Sequence, residues 1–518
     1  MTAFVLLART ASGAPLDAGD HEAVARAADA LCLGAPTQSV AGLVAGLAPA
    51  GLLAAPGRIA RAFDAPPIHV APLDGRVLVA SSGRALLSTG LVPRSIDPSG
   101  IAGLLWRGAP VAHRPPLAGT RGVPAGAALA WDPDHGWRLE AAAPAHELST
   151  PAEVRLRVLE SLPARGGGRV VSSAGGPGGL ALAGILADLG GPAPELITVR
   201  FPADAESRLR IVGRLVEAQG ARHHVIDPAR TDPVASLSTY VSTCDVPTPD
   251  GFAASLVAEA LAAAGISDAL DAAGASILFG AGPAFAAVAR EPRARGLRRK
   301  PPSADALDVD AQREVELRAF ARVPVNLALS AAARLPAGTR EALSRCGPRP
   351  VDGFRPAPGS RLEVAVETWL RGTFADRVLG APRPARPVFL EPRVLAAIRG
   401  LPPPVRFGRP GSGGLLARLA GRGATRARAH SVGLEATLAA WTREALRPWL
   451  EAILAPDRVA ATRVLEPGAV AEALRRARAG AGGWTATRIL TLAFLVAWIE
   501  RERLALPPGT RDAGRPAP

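Results

Sequence analysis

The chain carries Ser172-Ser173-Ala174-Gly175-Gly176-Pro177-Gly178-Gly179, four glycines in eight residues. A short run of β-formers over 169–172 enters this segment, and an apolar helical pattern over 179–189 leaves it. A strand, a glycine-rich turn and a helix in that order present backbone N–H groups at the helix N-terminus, an arrangement that holds anions. A bare tight turn reads the same when it stands alone. Here a second strand is expected over 196–201, a second helix over 205–219 and a third strand over 223–226. Alternation at this spacing implies parallel strands joined by crossover helices, an α/β sheet.

Upstream, Ser149-Thr150-Pro151-Ala152-Glu153 has the form of a helix start: a hydroxyl cap, proline early in the first turn, then an acidic residue. A domain boundary is placed just before it, which gives an N-terminal domain over 1–148. That domain reads as short apolar segments broken by Gly and Pro, with strand-like runs at 68–71, 76–80 and 127–131 and a helix over 21–33. The second domain spans 149–510. From about 310 onward it is mostly helical and closes on an apolar helix near 485–502. Residues 511–518 are expected to be a disordered tail.

The chain has 518 residues, 48% hydrophobic and 20% charged, which fits two or three packed domains and excludes intrinsic disorder. Its net charge is +14 with an isoelectric point near 11.2. Lys300 is the only lysine, so arginine carries nearly all the positive charge. With alanine, glycine and proline also abundant, this pattern reflects base composition of the coding DNA more than selection for phosphate contacts. The basic clusters at 291–300 and 421–430 hold no Phe, Tyr or Trp to stack on a base. Nucleic acid is therefore disfavoured as a partner, and solvated loops are expected there. Cys32, Cys244 and Cys346 lie far apart without a CxxC pair, against a disulfide framework or a structural zinc site. The N-terminus has no basic leader before its brief apolar run, and the apolar stretch 489–499 falls far short of the ~20 residues that span a bilayer. No membrane partner is expected, and the expected compartment is the cytoplasm.

Several further segments carry a family resemblance. The 172–179 loop resembles the pyrophosphate loop of ATP pyrophosphatases, written SGGxDS. Ile197-Thr198-Val199-Arg200-Phe201, then Asp204 and Glu206, then Gly220-Ala221-Arg222-His223-His224, resemble that family's second strand and following helix. Cys244-Asp245-Val246-Pro247-Thr248-Pro249 is similar to its fdePt segment, and Gly274-Ala275-Ser276-Ile277-Leu278-Phe279-Gly280 to its GxDElFgG signature. Asp376-Arg377 and Arg386-Pro387-Val388-Phe389-Leu390-Glu391-Pro392 resemble its DR…RxPFLDp segment. Gly400-Leu401-Pro402 follows at the usual distance, and the surroundings of Trp441, Trp449 and Trp498 resemble its C-terminal helices. Six matches in order over roughly 330 residues identify a resemblance to the asparagine synthetase-type amidotransferases. That family includes β-lactam synthetase and the lasso-peptide cyclases. The resemblance implies an Ntn-type, glutaminase-like, β-rich α+β domain followed by an ATP-pyrophosphatase-like α/β synthetase domain with a parallel sheet and many helices. It also implies ATP and magnesium as cofactors, and a carboxylate activated as an acyl-adenylate before an amide forms.

By the same resemblance, Ser172, Ser173, Gly175, Gly176, Val199, Ala272 and Gly274 are the candidates for nucleotide and pyrophosphate contacts. The family's charged positions are replaced. Its loop Asp falls on Gly178 and the flanking serines on Ala174 and Gly179; the metal-binding Asp of the second signature falls on Ser276 and the adjacent Glu on Ile277. Neither glycine nor a neutral serine replaces a carboxylate as a hard-cation ligand, and adenylyl transfer depends on that neutralisation of charge. The family's phosphate-steadying lysine has no counterpart near 426–430, where Arg426, Arg428 or His430 substitutes only in part. Asp268 and Asp271 are candidates for a relocated metal, with solvated turn carboxylates the simpler reading.

Thr2 stands where active members carry a nucleophilic Cys, and the arginine, NGE and GD motifs that hold glutamine have no counterpart. Thr2 is therefore read as a processed second residue. His223 and His224 are read as structural. The expectation is weakened or lost binding of ATP and magnesium, with no catalytic residue and no metal site assigned. The leading functional class is a non-catalytic homologue that binds a protein or peptide partner from its own pathway. The alternatives are an active ATP-dependent amide- or macrolactam-forming ligase with relocated metal ligands and, from another class, a basic protein that binds anions or nucleic acid.

Overall fold

The structure, a computed structural model, describes residues 5–9, most of 52–281, a few positions between 362 and 370, and most of 385–506. Thr2, the helix expected over 21–33, the loop residues 172–176, Asp204, Asp268, Asp376-Arg377, both basic clusters and the 511–518 tail lie outside the described residues.

Two four-stranded antiparallel sheets build the N-terminal half. One runs β1-β5-β4-β6, from β1 (Val5–Arg9), β4 (Ile68–Leu73), β5 (Arg76–Ala80) and β6 (Arg121–Val123). The other runs β2-β3-β7-β8, from β2 (Leu52–Ala55), β3 (Arg58–Arg61), β7 (Ala127–Asp132) and β8 (Gly136–Ala141). Their facing sides share one core: Ile59, Ile68, Val70, Val77, Val79, Val123 and Leu129. The two-residue period of a strand sends the alternate side chains the other way. Leu78 and Ala80 of β5 and Ala71 of β4 join a second core, together with helices α1 (Gly83–Ser88) and α2 (Pro98–Arg107) and the last helix of the chain. His69, level with Ala80 in the β4–β5 register, lies on this second side.

Thr150 caps α3 (Pro151–Glu160): its hydroxyl accepts from the Glu153 amide at 3.2 Å, and Pro151 takes the first helical position. Beyond α3 the chain alternates. Strands β9 (Arg169–Val171), β10 (Glu195–Val199), β11 (Arg222–Ile226), β12 (Ala269–Asp271) and β13 (Ala385–Pro387) form one wholly parallel sheet in the order β11-β10-β9-β12-β13. Helices α4 (Pro177–Ala187) and α5 (Glu206–Glu217) connect β9 to β10 and β10 to β11, and α6 (Pro233–Thr243) and α7 (Pro249–Ala263) lead from β11 to β12. The helix expected at 179–189 thus begins two residues earlier. Helix α4 is apolar on every side, as an interior helix must be, and the helix over Gly414–Leu419 lies against it.

Helix α8 (Ala275–Leu278) follows β12. After β13 come α9 (Pro392–Arg399), α10 (Pro403–Phe407), α11 (Gly414–Leu419), α12 (Gly433–Arg443), α13 (Arg447–Ile453), α14 (Pro456–Thr462), α15 (Pro467–Arg478) and α16 (Gly483–Glu502). Leu490, Phe494 and Trp498 of α16 sit in the second core with Leu86, Ile101 and Leu105 from the N-terminal half and Tyr240 and Phe252 from α6 and α7. One apolar cluster therefore crosses between the halves. No helix among the described residues is long and apolar enough to cross a membrane.

Candidate functional site

The parallel sheet reverses its winding at β9. From β9 the chain goes to β10 and β11 on one side, then returns to lay β12 and β13 on the other. In an open α/β sheet, ligands bind beyond the carboxyl ends of the strands at such a reversal. The strands are level there: Val171 pairs with Ile197 on β10 and with Asp271 on β12. The segments after β9 and after β12 consequently leave neighbouring strands at the same height, and Gly178 lies beside Ala272 and Ala275 at the second signature.

Gly178 and Gly179, at the start of α4, are both buried. A Cβ added to Gly178 would lie 3.0 Å from the Cβ of Ala272, 3.0 Å from the Cβ of Ala275 and 3.3 Å from the Ala272 carbonyl oxygen. The small residues after β12 thus close directly over Gly178. Gly274 takes the left-handed conformation, φ 82°, which turns the chain from β12 into α8. Ser276 is exposed and Ile277 is buried among apolar neighbours. Val199 is fully buried at the end of β10, and Ala272 is half-buried. The structure therefore brings Gly178, Ala272 and Gly274 to one edge with Val199 on the next strand; Ser172, Ser173, Gly175 and Gly176 lie outside the described residues.

Asp271 is the described carboxylate at this edge. Its Oδ1 accepts from the Ala273 amide at 2.9 Å, so it caps the turn that follows its own strand. No group of three or more His, Cys, Asp or Glu that could hold a metal ion occurs among the described residues. Among the described residues at this edge, Gly178 covered by two methyl groups, a neutral exposed Ser276 and a turn-capping Asp271 do not make a donor set for magnesium.

The two histidines lie on β11. His223 is half-buried with Nε2 3.0 Å from the Thr198 hydroxyl, and burial pulls its pKa below the usual histidine value against an opposing pull from Glu217. His224 is exposed, 3.9 Å from Glu195. Neither lies at the reversal point.

Residues 181–500 match the asparagine synthase family. That span is more than half of the 518-residue chain. The chain belongs to the asparagine synthase family. Its asparagine synthase domain holds all of β10–β13 and the whole of Gly274–Gly280, and the match opens just past Gly179. Members of the family are ATP-dependent amide-forming ligases that bind ATP with magnesium. No curated protein matches the chain.

One motif of the asparagine synthase domain keeps polar groups at Asp245 and Thr248, with Val246 at the position between them that the pattern gives to Glu. In Cys244-Asp245-Val246-Pro247-Thr248-Pro249 the Thr248 hydroxyl caps α7, accepting from Gly251 at 3.0 Å. The Tyr240 hydroxyl donates to the Thr248 carbonyl at 3.1 Å and accepts from the Thr248 amide at 2.9 Å. Cys244 is buried beside that hydroxyl, and burial pushes its thiol up to about 11. This thiol is therefore inert at neutral pH. These ties all close within eight residues of chain.

Proposed function

We propose that the chain is an asparagine synthase-family protein that keeps the fold without the chemistry. On this reading it binds a protein or peptide partner from its own pathway, in the cytoplasm, and no longer activates a carboxylate with ATP. The observation that carries the reading is the packing at Gly178. Where magnesium would need a carboxylate, the backbone is held against Ala272 and Ala275, and Ser276 brings no charge. We read the N-terminal half in the same way, as the remnant of a glutaminase-like domain, with Thr2 no nucleophile.

Calorimetry with ATP, with and without magnesium, tests the reading. Weak binding or none, indifferent to magnesium and without pyrophosphate release, supports it. Tight, magnesium-dependent binding with pyrophosphate release would instead establish an active ligase with relocated ligands, and Asp268 and Asp271 would be the first positions to substitute. Glutamine offered to the purified protein should release no ammonia above background; turnover lost on Thr2→Ala would restore the glutaminase.

A further inference from the structure

Three segments far apart in the chain meet at one polar seam. The Asp245 carboxylate accepts from the Gly83 amide at 2.8 Å and the Arg84 amide at 2.9 Å, at the start of α1. His69 Nε2 lies 3.3 Å from the same carboxylate. Arg84 extends across the junction, donating to the Ser242 carbonyl at 2.8 Å and to Glu502 at 3.0 Å. Glu502, the last residue of α16, is buried, and its carboxylate also accepts from Arg501 at 2.7 Å. Arg501 in turn donates to the carbonyls of Val241 and Asp245. Arg94 donates to the Glu502 carbonyl at 2.6 Å, and Ala505 exchanges backbone hydrogen bonds with Arg94 and Ile96.

The apolar cluster beneath this seam joins the halves but cannot align them, because burial of apolar surface is non-directional. Hydrogen bonds have a direction, and charge-assisted ones in a partly dry site hold it most firmly. We propose that residues 501–505 form a strap that fixes the register of the N-terminal half on the asparagine synthase domain, with Glu502 and Asp245 as its positioning carboxylates. Glu502 collects Arg84 from one half and Arg501 from the other, so it senses both. Asp245 spends its side chain on the N-terminus of a helix in the opposite half and its carbonyl on the strap. With the strap made, the halves present one continuous body; with it broken, α1 and residues 94–96 lose their fixed partners while the parallel sheet keeps its own. This assignment is independent of whether ATP binds at the reversal point.

Hydrogen exchange on the full chain tests it. Glu502→Gln and Asp245→Asn should each speed exchange at 83–88 and 94–96 by roughly tenfold or more, as expected when charge-assisted hydrogen bonds are lost locally. Segments 177–187 and 195–199 should keep their protection. Glu500→Gln, which removes an exposed pair with Arg458 from the same helix, should change none of the four segments. Unchanged exchange at 83–96, an equal rise at 195–199, or the same effect from Glu500→Gln would overturn the proposal. Should Glu502→Gln not fold, Asp245→Asn decides alone. Failure of both to fold would also overturn it, since the seam would then belong to the global core.

Discussion

The edge of the parallel sheet beyond β9 and β12 and the seam around Glu502 are made of opposite materials. At the sheet edge Gly178 and Ser276 carry no charge, and methyl groups from Ala272 and Ala275 fill in above the glycine. At the seam, Asp245, Arg84, Arg501 and Glu502 remain fully engaged, and the motif that carries Asp245 still caps its helix through Thr248. On the function proposed above, charge has left the place where a family member performs chemistry and has stayed where it orients one half of the molecule on the other. Residues kept for alignment answer to fold stability, whereas residues kept for catalysis answer only to turnover.

The largest effect expected is on the seam's apolar floor. Phe494 is fully buried, with ring centroids 5.8 Å from Tyr240, 6.1 Å from Phe252 and 6.2 Å from Trp449. Phe494→Ala should lower the unfolding free energy by about 3–5 kcal/mol. Chemical denaturation that moved by less than ~1 kcal/mol would show that the halves are not joined through this cluster.

Next comes Tyr240→Phe, which removes the hydroxyl that serves both the amide and the carbonyl of Thr248. Leaving those buried groups unpaired should destabilise the chain by ~1–3 kcal/mol. An unchanged midpoint would mean that the retained motif is not held by this tie, which weakens the contrast with the sheet edge.

Gly178→Asp probes the other side of the comparison. The added side chain must displace Ala272 and Ala275, so a loss of about 1–3 kcal/mol is expected, with no gain in magnesium-dependent ATP binding by calorimetry. Stability kept together with new Mg–ATP binding would show an open site, and the contrast would fail.

The smallest effect belongs to His223, remote from both regions. Its folded-state pKa is depressed by burial, so the folded chain favours the neutral ring. The stability this contributes is present above the usual histidine value, about 6.5, and is lost as the pH falls through the lower folded value. His223→Gln should flatten that part of a stability–pH profile. A profile that kept its slope would assign the proton uptake elsewhere.

Several features were legible along the chain because the physics that makes them is local. Thr150-Pro151 starts a helix since a hydroxyl and a ring satisfy the first helical turn within a few residues. Strands at 195–199 and 222–226 show as β-runs spaced by a helix, and their parallel pairing follows from that spacing. The expectation that Gly178 and Ser276 stand where the family carries carboxylates rests on residue identity in the resemblance alone. What the order of residues could not reveal is how space was reassigned around them. Ala272 and Ala275 reach Gly178 only because β9 and β12, about a hundred residues apart in the chain, become neighbours in the sheet. Asp245 and Glu502 carry no local signal of alignment, since their partners stand 162 and 418 positions away. Charge, caps and periodicity act over one or two turns of chain and were decided by the amino-acid order. Burial and cross-chain hydrogen bonds exist only after the chain has closed on itself, and the tertiary structure alone decided them.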